Sequence, residues 1–214
     1  MKMTNRAFQF RLKPNKAQQQ LLLRLLTTAC CLYNDALRER KETWETQQKS
    51  VSFYDQAKKL KELRRQDKEL ALLNHHACLH VLLRLGKAFL RFFNGLKSRQ
   101  KVGYPRFKKP SSFRTLAFTY GNGAKLLEEN GKMRLRIQNV GSIKVIWHRE
   151  LPKTAIIKQV WLTLKADSWY LTFAIEVNEQ ELLRPLPPID VGIENLLALS
   201  ESSLIDNPRW YQKT

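Results

Sequence analysis

The chain opens on strict alternation. Phe8, Phe10 and Leu12 share one side and Gln9 and Arg11 the other, the period of a half-buried strand over 7–12 that Pro14 ends. The period then lengthens. Asn15 followed by Gln18 has the spacing of a capping box, and Leu22, Leu25, Leu26, Ala29, Tyr33 and Ala36 form the apolar stripe of a helix running to about Trp44. A second helix is predicted from near Ser52, with Asp55 in its first turn and Phe53, Ala57, Leu60 and Leu63 inward. A third spans roughly 74–97 and turns Cys78, Val81, Leu82, Leu85, Phe89, Phe92, Phe93 and Leu96 to one face.

After residue 100 the pattern shortens again. The stretch 100–110 is basic and punctuated by Gly103, Pro105 and Pro110, as a connector is. Strands are predicted over 115–120, 133–138, 142–148, 156–165 and 169–177, the last two joined by a turn at 166–168. A stiff linker, Arg184-Pro-Leu-Pro-Pro188, precedes a hairpin of 189–193 and 196–200 joined at Glu194 and Asn195. A lone first strand needs a sheet to join, and that sheet lies beyond the helices. The predicted class is therefore α+β: an antiparallel barrel or sandwich from 1–13 and 111–183, split by a helical insert with its basic connector at 14–110. A further unit begins at 184–214.

Charge narrows the partner. Lys and Arg number 38 against 19 Asp and Glu, a net of +19. Residues 1–166 carry +24 and residues 167–214 carry −5. A basic body of this kind argues against cationic substrates and basic protein partners, and for a polyanion: nucleic acid first, an anionic membrane surface a distant second. The apolar stretch 21–33 is broken by Arg24 and too short for a bilayer, and no secretory signal core precedes it. Cys30, Cys31 and Cys78 make neither a disulfide framework nor a CxxC pair, so no zinc ribbon is expected and the chain reads as cytoplasmic.

Candidate chemistry follows from spacing. Lys101, Arg106, Lys108 and Lys109 neutralise phosphates while Tyr104 and Phe107 offer faces to unpaired bases; the bland alternative is a solvated loop whose rings plug a junction. Arg84, Lys87 and Arg91 recur at helical spacing opposite the apolar stripe, and Arg134 and Arg136 share one strand face. His76 and His80 flank Cys78 on the third helix, yet a zinc site needs a further donor that the sequence does not place, so they read as helix-face histidines. Asp190 stands inside an apolar strand, where a carboxylate is costly to bury without a metal or partner; its alternative is an edge-strand Asp facing water.

Taken together, Phe10-Arg-Leu-Lys-Pro14 with Gln18, Cys31-Leu-Tyr-Asn-Asp-Ala-Leu37, Lys87-Ala-Phe-Leu-Arg-Phe-Phe93, Gly103-Tyr-Pro-Arg-Phe-Lys108, Ile189-Asp-Val-Gly-Ile-Glu-Asn195 and Asp206-Asn-Pro-Arg209 resemble the N-terminal half of the TnpB, or OrfB-type, transposon-associated family. The resemblance implies an RNA-guided DNA endonuclease: a wedge barrel, a helical recognition insert and a RuvC-like nuclease domain, here only begun. It implies a transposon-end guide RNA and target double-stranded DNA as partners, with Phe53, His75, His76, Thr119 and Tyr120 placed to read a short duplex motif. It makes Asp190 the first acid of a Mg²⁺ site whose other acids are not matched by Glu194, Glu201 or Asp206, and Pro188 stands where the family has Gly. The expectation is a shortened chain that binds nucleic acid without cutting it. The alternatives are an endonuclease completed by a second chain, a nuclease-dead regulator of transposition, or a decayed fragment.

Overall fold

The computed structural model of the protein describes residues 3–152, 154–166, 168–178, 189–190, 195–199 and 204–206. The first strand, β1 (Met3–Lys13), leads into α1 (Lys16–Gln47), α2 (Phe53–Gln66), α3 (Lys68–Leu72) and α4 (His75–Lys97). A 3₁₀ turn at Pro110–Ser112 then opens a run of strands: β2 (Thr115–Tyr120), β3 (Gly123–Glu129), β4 (Lys132–Ile137), β5 (Gly141–Ile146), β6 (Ile156–Lys165) and β7 (Ser168–Asn178).

The three long helices start where their caps require. Asn15 and Gln18 exchange both capping-box bonds, Ser52 and Asp55 do the same, and the Asn74 side chain accepts from the backbone of His76 and Ala77. The short α3 and the strand β3 have no counterpart in the sequence reading. Asp67 caps α3 through the backbone N–H groups of Glu69 and Leu70.

The strands close into a barrel in the order β1-β5-β4-β3-β2-β6-β7. The first strand lies antiparallel to β7 from Met3↔Asn178 to Leu12↔Trp169 and meets β5 at Arg11↔Ile146, so the helices interrupt a barrel whose first stave precedes them. The antiparallel barrel expected from the sequence is corrected in one place. β2 and β3 meet in a short parallel register, Thr119↔Gly123 and Tyr120↔Ala124, which makes the barrel mixed. The cause is the corner between them: Gly121 and Gly123 take φ of 84° and 91°, a region glycine enters without strain.

Inward positions alternate as the sequence requires. Phe10, Leu116, Phe118, Leu135, Ile143, Val160, Leu162, Leu171 and Phe173 are buried in the barrel, while Leu22, Leu25, Leu60, Leu82 and Leu85 are buried in the helical insert. Polar links tie the two. The Gln18 amide donates to Ser142 O at 3.0 Å, the Asn74 amide to Gln138 Oε1 at 2.5 Å, and the Asn139 amide to Leu72 O at 2.8 Å.

A three-stranded sheet comprises β8 (Ile189–Asp190), β9 (Asn195–Leu199) and β10 (Leu204–Asp206), with β9 central and both pairings antiparallel. Ile189 pairs with Leu199 and Asp190 with Ala198, within the spans 189–193 and 196–200 expected to form a hairpin. The linker 184–188 and the turn residue Glu194 lie outside the described residues.

Candidate nucleic-acid interface

One face of α4 packs on the barrel wall through polar side chains. His76 Nδ1 lies 3.4 Å from Thr119 Oγ1, His80 Nε2 lies 3.3 Å from the same hydroxyl, and the Gln159 amide reaches His80 Nδ1 at 3.1 Å. The two histidines thus hold α4 to β2 and β6. Cys78 points elsewhere, into the core, where burial pushes its thiol up to about 12. Among the described residues no three His, Cys, Asp or Glu side chains come close enough to hold a metal ion.

Just past this seam the surface opens into a groove of about 580 Å³ between α4 and the outer faces of β2 and β6, lined by His80, Arg84, Lys87, Thr115, Gln159 and Trp161. Arg84 and Lys87, singled out by their spacing, therefore share one cleft. The Arg84 guanidinium sits 4.6 Å from the Phe113 ring centroid, which fixes its direction without using up its charge. Burial, with His76 and Lys87 nearby, lowers the pKa of His80, so the groove carries its charge on Arg84 and Lys87. Arg91, on the next turns of α4, is exposed and does not line the groove.

The connector is pinned to the helices. The backbone of Lys108 bonds both ends of the Asn34 amide, and Val102 presses on Gly95 so closely that a Cβ there would stand 2.5 Å from its Cγ2. Pro105 is buried, whereas Lys101, Arg106, Phe107 and Lys109 are exposed. Tyr104 packs edge-on against Phe89 and Phe92 at 5.5 and 5.3 Å and keeps a 43% exposed surface.

The strand pair Arg134 and Arg136 divides. Arg134 Nε bonds Glu129 at 3.1 Å, while Arg136 is exposed and has no acidic partner within salt-bridge distance among the described residues. Of the positions expected to read a duplex, His75, His76 and Thr119 come together where the start of α4 meets the end of β2, while Tyr120, on the strand side of the buried Leu116 and Phe118, packs against the core. Burial, Arg64 and His76 lower the pKa of His75. Phe53 packs instead near Gly86, about 15 Å further along α4. Asp190 stands on β8 opposite Ala198.

Sequence reasoning missed Gln159 and Trp161. The alternation of β6 does carry the signal: Val160 and Leu162 are inward, so Gln159 and Trp161 must face out, and a tryptophan outside a barrel marks a surface with something to cover.

These features define a class, an α+β scaffold whose split barrel and helical insert meet at a basic, aromatic-bearing cleft. Residues 1–49 match the family model described as the OrfB IS605 helix-turn-helix domain. Here the described part of that segment forms β1 and the single long helix α1. A protein of Streptomyces pristinaespiralis named "Putative RNA-guided DNA endonuclease" is 28% identical over 98% of the chain and 51% of that protein. Both findings support a TnpB/OrfB-type family for the chain, which spans about half the length of this curated relative. A solved complex titled as Cas12f1 with sgRNA and target DNA aligns at a TM-score of 0.47 and 13% identity, covering 97% of this chain and 58% of that one. No helix among the described residues is long and apolar enough to cross a membrane.

Proposed function

We propose that this chain forms the nucleic-acid-gripping part of an RNA-guided DNA endonuclease of the TnpB/OrfB type, holding guide RNA and target duplex on its barrel-and-helix body. The observation that carries the reading is the groove beside α4, which Arg84, Lys87 and Trp161 line together. Two cations on one helix face can neutralise neighbouring phosphates, and an adjacent ring accepts a base or sugar face. Lys101, Arg106, Lys108, Lys109 and Arg136 extend the positive surface, and Arg91 adds to it on the next turns of α4. Arg134 is tied to Glu129 and contributes least. His75, His76 and Thr119 form the edge that meets the flanking duplex, with donors and acceptors suited to base edges or phosphates, and Tyr120 supports that edge from the core side. In this reading Phe53 supports α4 rather than touching DNA.

Asp190 is proposed as the first acid of a Mg²⁺-dependent nuclease site. Two-metal hydrolysis needs several carboxylates around ions about 4 Å apart. The described residues do not supply that set, so no step of hydrolysis is derived from them. In this reading the other acids come from outside the described residues, in this or a second chain. Without them the body binds and does not cut, which also suits a regulator of transposition.

The test is a titration of structured RNA and of duplex DNA against the intact chain at several salt concentrations. Affinity should fall steeply and linearly on a log–log plot, and Arg84→Ala with Lys87→Ala should flatten that slope. Affinity indifferent to salt, or a slope untouched by the double variant, overturns the reading.

A further inference from the structure

On the far side of the helical insert a cavity of about 430 Å³ opens between α1 and α4, within the size range of small-ligand sites. Its walls are Trp44, Phe92, Phe93 and Tyr104, and the Arg40 guanidinium lies 5.1 Å from the Phe89 ring centroid beside them. Arg40 is 9% exposed. Its Nε donates to Gln56 Oε1 at 2.9 Å, and Gln56 in turn donates to Ala36 O and Glu39 Oε2. Its buried Nη2 has no acceptor among the described residues. Glu39 does not neutralise it directly, since that carboxylate is taken by Lys59 at 2.5 Å and by Gln56.

The lining selects its occupant. A guanidinium in the wall repels the quaternary ammonium groups that aromatic cages otherwise take. On the adjoining surface Lys41 and Glu45 pair at 3.8 Å, so a phosphate would meet Arg40 without a second free cation and against walls of ring carbon that cannot replace its water. An aliphatic side chain fills the space but leaves Nη2 buried without an acceptor, at a continuing cost. A flat, neutral ring bearing carbonyl oxygens suits this lining: it offers faces to the aromatic walls, and a small turn of the Arg40 guanidinium, whose Nη2 is sealed from solvent as it stands, would give that nitrogen an acceptor. The walls also keep unused surface, with Trp44 54% and Phe93 52% exposed.

We propose that this cavity captures a single unpaired nucleobase carrying a carbonyl group, extruded from the strand bound along the basic surface. The inference rests on the nucleic-acid reading above and adds a base-specific contact that phosphate neutralisation does not provide. Tyr104 links the two, since it walls the cavity and belongs to the basic connector. Arg40 then serves as an acceptor-seeking donor whose direction is set by Gln56.

The test uses the intact chain and two single strands with the same backbone, one wholly abasic and one carrying a single thymine. Wild type should bind the thymine strand about tenfold more tightly, the worth of one stacked base. Trp44→Ala, at an exposed position, should abolish that preference while leaving affinity for the abasic strand and its salt slope unchanged. Trp44→Phe should restore it. A 5-iodouracil in the thymine position should crosslink to Trp44, Phe92, Phe93 or Tyr104. Equal affinity for both strands, with salt-dependent binding intact, overturns the base pocket alone. Loss of salt-dependent binding to any strand overturns the parent reading as well. If Trp44→Ala changes only self-association in light scattering, the cavity is a protein-docking surface and the proposal fails.

Discussion

Asn34 grips Lys108 with both ends of its amide: Nδ2 donates to the Lys108 carbonyl at 2.9 Å, and Oδ1 accepts from the Lys108 N–H at 2.8 Å. Cys30 Sγ reaches the same carbonyl at 3.3 Å. A middle turn of α1 thereby fixes a connector that has no strand or helix of its own. Asn34→Ala leaves the Lys108 N–H without its partner, and stability should drop by about 1–3 kcal/mol. Amide exchange around residues 106–109 should accelerate, and RNA affinity should fall with it. A connector that stays protected after the substitution would show that other contacts hold it.

Arg84 and Lys87 should differ in how they tolerate exchange. Each substitution to Ala should weaken all sequences alike and lower the salt slope by about 1. Arg84→Lys keeps the charge but loses the flat contact with Phe113, so it should recover only part of the affinity. Filter-binding titrations in two salts separate the outcomes.

The two strand arginines should part company in the same assay. Arg136→Ala should cost affinity, whereas Arg134→Ala should cost less, because Glu129 already holds that guanidinium. An equal loss at both sites would mean that nucleic acid displaces the Glu129 pair.

Acid should loosen the seam between α4 and the barrel. His75 and His80 both titrate below their ordinary value of 6.5 in the folded chain, each through burial first and nearby cations second. The unfolded chain therefore binds more protons as pH falls. The stabilisation from their neutral forms is complete above about pH 6.5 and is lost as pH drops through the lower folded values. Tm should decline across that window, and less so in His80→Gln. His75 also stands in the first turn of α4, where the helix dipole disfavours a positive charge. A flat Tm down to pH 5 would remove the histidines from the account.

Gly123→Ala tests the corner that makes the barrel mixed. Its φ of 91° disfavours a side chain, and a Cβ there would stand 2.6 Å from Asn74 Cγ. The variant should lose about 2 kcal/mol or more and disturb the cap of α4, which Asn74 also supplies. Full stability would mean that Asn74 can swing aside freely.

The long helices were readable because their stripes, caps and breakers agree: Asn15, Ser52 and Asn74 each stand where periodicity begins. β3 was not, because Leu126 and Leu127 are adjacent and Glu128 and Glu129 follow, which defeats an alternation test; the strand forms because β4 pairs with it along its length. The basic row of α4 was legible as a row, but its partner wall on β6 was not, since nothing in the chain before residue 110 says which strand α4 will touch. The cavity near Arg40 was hidden for a similar reason. Arg40 stands in the charged run 38–42 and resembles its solvated neighbours, and Trp44, Phe92 and Tyr104 meet only in three dimensions.

The placement of β1 between β5 and β7 has a consequence for how the molecule comes into being on the ribosome. The strand made first finds its main neighbour only after more than 150 further residues have been joined, as the Arg11 to Ser168 contact shows. Closure on so distant a partner is slow, while the helices between have local contacts and assemble early. Newborn chains therefore pass through a stage in which the helices are built and Phe8, Phe10 and Leu12 still lack their cover, the interval in which a chaperone has something to hold.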